Sequence, residues 1–425
     1  MDTWEVVQRR YRPRVIDGPL NAALHAAAAV LIEGPRACGK TMTGLNAASS
    51  YVFLDTPQAQ AAREIEPESL LHGAQPRLLD EWQLAPELWN LVRRAADAGE
   101  HRGRFILSGS AVPADDVTRH TGAGRFLRLR LRTMAWYERT NPGQVGTVSL
   151  AKLFAGERPV AGHEAIGLSD VVTQLLTSGF PALSDLAWTE ALMMLRAYID
   201  DVARSDLPRL AAFKRDPAVI GHLIAAIARS PGAGVSYVTL ASDLQSVAPG
   251  INAETVAGYV RLLARLFVVE TLPAWTPRLR SRARLRRTGK CYLADPALTV
   301  VAMGGSSATL LGDLAVAGMV FEAAAIHDLA VLAAPLGAQV RYYRDSNGHE
   351  ADAVLTLPDG RWGAVEVKLG GLAVAKAARS LGAAVDQVDP AAMGAPSFTL
   401  VLTGTGTVAT IDDHTVTCPL HLLVP

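Results

Sequence analysis

The sequence predicts a multidomain α/β protein. An apolar strand, a glycine-rich loop and a helix follow one another near the N-terminus, and the C-terminal third runs helix, three strands, helix, strand. The third observation is size, since 425 residues exceed one ordinary domain. Apolar residues make up 49%, enough for sizeable cores, and 41 acidic residues balance 41 basic ones. That balance excludes a general polyanion binder but leaves room for local basic patches. Cys38, Cys291 and Cys418 are too far apart for a disulfide framework or a metal-ligand spacing, which fits a reducing cytoplasm. The first residues, MDTWEVVQRRYRPR, lack the apolar core of a signal peptide. No apolar run reaches the ~18 residues that span a bilayer, so no membrane partner is expected.

The stretch Gly34, Pro35, Arg36, Ala37, Cys38, Gly39, Lys40, Thr41 has the G-x-x-x-x-G-K-[ST] spacing of a phosphate-binding loop. The apolar run Ala27 to Ile32 reads as the strand feeding it, and Thr41 to Ser49 as the helix that follows. In that setting backbone N–H groups converge on phosphate oxygens at a helix N-terminus. Lys40 neutralises the outer phosphates and the Thr41 hydroxyl ligates Mg2+. Cys38, beside a helix N-terminus and Lys40, is read first as a permitted loop residue, with a lowered thiol pKa and oxidative sensitivity as the other reading.

Downstream, Tyr51 to Asp55 is a second short strand. Leu78 and Leu79 lead into Asp80 and Glu81, an apolar strand ending in two carboxylates. Asp80 is read as part of the Mg2+ shell and Glu81 as the group that orients and polarises the attacking water. Phe105 to Ser110 is a strand ending in small polar residues, where α/β sheets bind ligands. Ser108 is the candidate phosphate sensor and Ser110 a lesser one, against a plain turn after a core strand. In GAGRFLRLRLR, Leu127, Leu129 and Leu131 share one strand face and Arg128, Arg130 and Arg132 the other. Arg125 either stabilises charge on the transferring phosphate, in cis or across a self-association contact, or is an ordinary surface arginine.

From about Tyr11 to Glu138 the chain resembles AAA-type ATP-binding proteins of bacteria and archaea. It carries in their order GPRACGKT, LLDEWQLAPEL, LSGS, GRF and WYE. The resemblance implies an ATPase of the additional-strand class with ATP as ligand and Glu81 as catalytic carboxylate.

A Pro/Gly-rich break from Asn141 to His163 marks a domain edge. Leu168 to Ser230 is helical, interrupted at Ser178 to Pro181, and Asp206 follows a strongly periodic helix. This region is read as a helical lid. Then come helix, turn, longer helix and strand, a winged-helix pattern in which Asn252 caps the longer helix. Between Arg278 and Lys290 lie seven cations and no acid. As a strand this ribbon would display Arg278, Arg280, Arg282, Arg284 and Arg286 on one face and track a phosphodiester backbone. The alternative is an intramolecular docking surface.

In the C-terminal third, a helix from Leu311 to Ala334 carries Glu322 among apolar residues, and the strands VRYYR, ADAVLTL and WGAVEVKL follow. That is the order of a restriction-endonuclease-like core. Glu366 and Lys368, two apart on a strand, face one side, and Asp352 meets them across the hairpin. Asp352 and Glu366, with Glu322 completing the shell and Glu350 peripheral, would bind Mg2+ or Mn2+. Lys368 would position or deprotonate the activated water. The family named above carries a C-terminal domain that resembles PD-(D/E)xK nucleases with E-x-D and E-V-K, here HEAD and VEVK.

Four domains are expected: residues 1–158 a P-loop ATPase core, 159–230 a helical lid, 231–303 a winged helix with basic ribbon, and 304–425 the nuclease-like domain. The leading functional expectation is ATP hydrolysis coupled to a metal-dependent nuclease acting on DNA. The rival is a regulatory ATP switch whose C-terminal domain binds protein or nucleic acid without cutting.

Overall fold

Five short apolar segments near the N-terminus build one parallel sheet. They are β1 (Ala29–Glu33), β2 (Ser50–Phe53), β3 (Arg77–Asp80), β4 (Phe105–Gly109) and β5 (Phe126–Arg130), in the order β2-β3-β4-β1-β5. The structure, a computed structural model, describes residues 3–98, 101–110, 123–140, 146–162, 166–210, 216–230, 232, 234, 236–286 and 288–425. The expected domain edge from Asn141 to His163 begins and ends outside them, as does Arg287 of the basic ribbon.

Strand side chains alternate between the two faces of this sheet. Ala29, Leu31, Leu79, Phe105 and Leu107 pack with Trp82, Leu88, Trp89 and Val92 on one face. Val30, Ile32, Leu78 and Ile106 pack with Leu20, Leu24 and Leu45 on the other. Burial on both faces is why these strands read as continuous apolar runs. On β5 the expected alternation is only partial: Leu131 is buried, but Leu127 is 41% exposed because the strand lies at the sheet edge. β4 sits between β1 and β3, so the strand carrying Asp80 does not adjoin the strand feeding the phosphate loop. All five strands run parallel, and the loop and the carboxylates therefore gather at one end.

The chain divides into two units. This first one comprises Met1–Thr133 with Asp206–Phe213 and Arg265–Val268, and the second the remainder. The continuous N-terminal part of the first unit ends at Thr133. The physical reason is a clasp inside the second unit. Met134 N donates to Gly179 O at 2.6 Å, Gly179 N to Asp295 Oδ2 at 2.7 Å, and Trp136 N to Asp328 Oδ2 at 2.9 Å. Arg139 is half-buried alongside, its guanidinium donating to Gln174 O and Thr177 O.

The second unit contains β6 (Val148–Ser149), the antiparallel pair β7 (Val269–Leu272) and β8 (Lys290–Leu293), and then β9 (Gln339–Arg344), β10 (Glu350–Thr356), β11 (Trp362–Lys368), β12 (Phe398–Thr403), β13 (Ala409–Thr410), β14 (Thr415–Pro419) and β15 (Leu423–Val424). Six of them form a sheet in the order β13-β14-β12-β11-β10-β9, antiparallel from β9 to β11 and parallel from β11 through β12 to β14. Before β7 come helices Tyr237–Asp243 and Ala253–Arg265, the latter capped by Asn252 Oδ1 accepting from Thr255 N at 2.8 Å.

The expected helix from Leu311 to Ala334 is two helices, Ser307–Gly312 and Leu314–Leu332. Asp313 breaks it, extended at φ −133°, because its carboxylate caps Ala315 N and Val316 N. The second helix is long and apolar enough to cross a membrane by length and composition, which corrects the reading that no such run exists. Most of it is buried within the unit, as in a core helix.

At Gly179 an added Cβ would lie 2.5 Å from Met134 O, a backbone atom that cannot swing aside. Gly179→Ala is expected to destabilise the second unit by about 1–3 kcal/mol, read as a lower urea midpoint. Gly221, in the helix Pro217–Ala228 with open space around it, is the control. Gly221→Ala should leave the midpoint unchanged or raise it.

Candidate nucleotide site and C-terminal acidic cluster

The phosphate loop leaves the end of β1 and turns into the helix Lys40–Ala47. Its close course demands small residues. A Cβ on Gly34 would sit 2.0 Å from Leu131 O, and Gly39 takes the left-handed conformation at φ 104°. Lys40 is 5% exposed, and its ammonium is held over the loop by Gly34 O at 3.1 Å and Pro35 O at 2.8 Å. Thr41 Oγ1 donates to both Asp80 oxygens at 3.1 Å. Burial pushes the Asp80 carboxyl above the usual range and neighbouring Glu81 adds to that, against the Ser108 and Thr41 hydroxyls and Lys40. A hydroxyl and a carboxylate side by side are the oxygen donors Mg2+ takes alongside water, so Thr41 and Asp80 fit that ion.

Glu81 adopts φ 57°, ψ 44°, a left-handed conformation rare outside glycine that costs of order 1 kcal/mol. The kink turns its side chain out of the strand direction, and Gln83 Nε2 donates to Glu81 Oε2. Gln83 is a positioning group that the residue pattern alone did not single out. Ser108 is fully buried and its hydroxyl donates to Asp80 Oδ1. In this structure it braces Asp80. Ser110 lies just past the end of β4.

Two open readings narrow. Ala29 N donates to Arg125 O at 3.2 Å, which places Arg125 at the start of β1, whereas the loop leaves its far end about 13 Å away. Arg125 instead pairs with Asp97 at 2.7 Å, so this chain does not bring it to its own phosphate loop. Cys38 is buried, its Sγ turned to Leu131 O at 3.5 Å, which shields the thiol and favours its reading as a permitted loop residue. Arg36, by contrast, reaches Asp206 Oδ1 at 3.2 Å, bringing the acid that follows the periodic helix to the loop.

Arg14 escaped sequence reasoning. It is 6% exposed, with Nη1 donating to Cys38 O at 3.0 Å and Nη2 to Arg132 O at 2.9 Å. Asp17 fixes its backbone by accepting from Arg14 N at 2.8 Å and also accepts the Tyr11 hydroxyl. The guanidinium thus ties the loop backbone to the segment following β5. The one available signal was Y-x-x-R-x-x-D, whose partners lie far away in sequence.

In the second unit, Glu366 is buried on β11 and Lys368 Nζ donates to its Oε1 at 2.7 Å. Its Oε2 is buried without a hydrogen-bond partner. Burial raises the Glu366 carboxyl against the pull of Lys368. Burial works against the Lys368 ammonium, but Glu366, Asp352 and Glu322 outweigh it and hold that group above its ordinary value. Asp352 accepts Val367 N at 2.8 Å, and burial beside Glu366 and Glu322 pushes its carboxyl up to about 7. Asp352, Glu366 and Lys368 are thus brought together.

Glu322 stands near them, but its Oε1 is taken by Lys290 Nζ and the Tyr292 hydroxyl, each at 3.3 Å. Glu350 instead faces Arg344 at 3.5 Å. Among the described residues no three His, Cys, Asp or Glu side chains form a metal-holding group. The expected three-carboxylate shell is corrected to two carboxylates, with Lys290 supplying the counter-charge on Glu322. The unpartnered Glu366 oxygen beside Asp352 fits a cation held by those two groups and water.

Arg14→Ala should weaken nucleotide binding roughly five- to a hundredfold, the cost of one charged hydrogen-bonded anchor, while the folded fraction by circular dichroism stays constant. Titration with a fluorescent ATP analogue reads it, and unaltered affinity would remove Arg14 from the site.

Residues 26–140 match the AAA domain family, 168–309 a domain of unknown function (DUF8612), and 317–423 a domain of unknown function (DUF4143). Uncharacterized proteins of Mycobacterium tuberculosis and Mycobacterium bovis are each 26% identical over 355 residues, covering 82% of this chain and 72% of theirs. Among solved structures, a Walker-type ATPase of Pyrococcus abyssi is 14% identical, covering 69% of this chain and 97% of its own, with a TM-score of 0.41. The AAA-domain match over residues 26–140, joined to a phosphate loop on a parallel sheet, supports ATP binding and an ATPase-like function.

Proposed function

We propose that this protein hydrolyses ATP in its first unit and uses that cycle to control a metal-dependent, nuclease-like site in its second unit that acts on DNA. The reading is carried by two separate groups of side chains, each gathered around a buried carboxylate, Asp80 in one and Glu366 in the other. Lys40, Thr41, Asp80, Glu81 and Ser108 make one, and Asp352, Glu366 and Lys368 the other.

In the first site, the loop N–H groups and Lys40 bind the phosphates, and Thr41 with Asp80 would hold Mg2+. Glu81, steadied by Gln83, orients water for in-line attack and takes up its proton. In the second, Asp352 and Glu366 would hold the divalent cation, which when bound supplies charge neutralisation at a phosphodiester. Lys368, kept an ammonium beside Glu366, holds the attacking water and offsets charge at the phosphodiester rather than taking a proton. One observation favours a second reading, a regulatory switch that binds without cutting. Glu322 is neutralised by Lys290, which leaves the acidic cluster one carboxylate short of the expected three-carboxylate metal shell.

Lys40→Ala is expected to abolish nucleotide binding, and Glu81→Gln to keep binding while turnover falls by at least about a hundredfold. Normal hydrolysis by the Glu81→Gln protein would remove Glu81 from catalysis. Incubation of labelled DNA with Mg2+ or Mn2+, with and without ATP, should give products that Asp352→Ala and Lys368→Ala both lose. Identical products from all three proteins, or none at all, would leave the non-cleaving switch as the surviving reading.

A further inference from the structure

The stretch between β7 and β8 is not the strand that its alternation predicts. It is a strap laid along the edge of the six-stranded sheet by isolated backbone bonds. Trp275 N donates to Tyr342 O at 2.6 Å and Tyr342 N to Pro273 O at 3.0 Å. Arg280 N donates to Gln387 O at 2.8 Å, Asp389 N to Arg278 O at 2.9 Å, and Arg286 N to Arg344 O at 3.0 Å. Arg284 N reaches Ser346 Oγ at 3.0 Å. Leu279 and Leu285 turn inward and pack with Trp275, Tyr343 and Trp362.

This seating sorts the strap by parity. Arg278, Arg280, Arg282, Arg284 and Arg286 are all exposed, while Leu279, Ser281, Ala283 and Leu285 between them are half-buried. Among the described residues none of the five guanidinium groups has an acidic partner within salt-bridge distance. In a chain of zero formal charge, five unpaired cations in one row are a local field aimed at something outside the molecule.

We infer that the strap binds the sugar-phosphate backbone of a nucleic acid, and that it, rather than the longer helix of the winged-helix pattern, is the surface that holds the substrate. The inference rests on the reading of the second unit as acting on nucleic acid. Guanidinium forks match phosphate oxygens two at a time, and the residue at each exposed position is arginine. A membrane surface would call for exposed apolar anchors between the cations, and here those residues face the core. No exposed aromatic ring interleaves the row to stack bases, so recognition is of backbone and not of sequence. The longer helix, Ala253–Arg265, exposes Glu254 and Arg261, with no row of cations to enter a groove. The strap also runs directly into β8, where Lys290 touches Glu322 of the acidic cluster.

The test is binding of the full chain to fluorescein-labelled DNA and RNA duplexes of about 20 base pairs, followed by anisotropy across a salt series in EDTA. Cleavage is then absent, and a failed nuclease reading leaves this result untouched. Five phosphate contacts give the strap a log–log salt slope of about −4.5. The triple variant Arg280→Gln/Arg282→Gln/Arg284→Gln should lower the magnitude of the wild-type slope by about 2.7, with an unchanged urea midpoint. The corresponding triple lysine variant should keep the slope, and DNA and RNA should bind within a few-fold of each other. An unchanged slope in the glutamine variant, salt-insensitive binding or no binding overturns the inference. So does arginine-dependent binding of polyglutamate or of phosphatidylserine vesicles without binding of either duplex.

Discussion

The Asp80 carboxylate is the point on which the first unit's site depends. It closes β3 and accepts hydroxyl hydrogens from Thr41 on the loop helix and Ser108 on β4. Because β4 lies between β1 and β3, this one carboxylate joins three segments that the sheet alone would leave at different strand ends. Burial makes its charge costly, and each donated hydrogen offsets part of that cost. A missing donor would leave a buried acceptor short by about 1–3 kcal/mol, so Thr41 and Ser108 are as much structural as functional. Arg14 does the same for the loop's other flank, where backbone carbonyls rather than a carboxylate need a donor.

The C-terminal cluster is built on the opposite logic. There the carboxylates outnumber their donors: Glu366 keeps one buried oxygen without a partner, and Asp352 has a single backbone N–H. The two lysines take one carboxylate each, Lys368 on Glu366 and Lys290 on Glu322. The outcome is a cluster under electrostatic tension, in which burial and mutual repulsion raise both Asp352 and Glu366. A cluster tuned only for stability would pair every buried oxygen.

Much of this was legible in the residues, and the failures have physical causes. The phosphate loop and β1, β3 and β4 could be read because parallel strands buried on both faces appear as unbroken apolar runs ending in polar residues. Asp352, Glu366 and Lys368 could be read because a strand's period of two fixes which side chains share a face. For Arg125 the residues left a phosphate contact and a surface arginine both open, because the register of β5 on β1, which sets it away from its own loop, leaves no mark in the chain. Arg14 was hidden because arginine is ordinarily exposed, and only carbonyls 24 and 118 residues away make its burial tolerable. On the strap, the alternation was legible, but the backbone partners that replace a strand ladder come from β9 and from the end of the helix Val374–Val385.

The treatment of arginine differs between the two parts of the molecule, and the difference bears on function. In the first unit Arg36, Arg63, Arg125 and Arg128 each meet a carboxylate, and Arg14 is spent on backbone. Among the described residues the strap's five arginines meet none. Exposed residues two apart on an extended chain stand about 6.6 Å from one another, inside the ~8 Å over which physiological salt screens. The row therefore repels itself in the free protein, a standing cost that neither packing nor pairing offsets. A polyanion laid along it would turn that repulsion into the release of counterions.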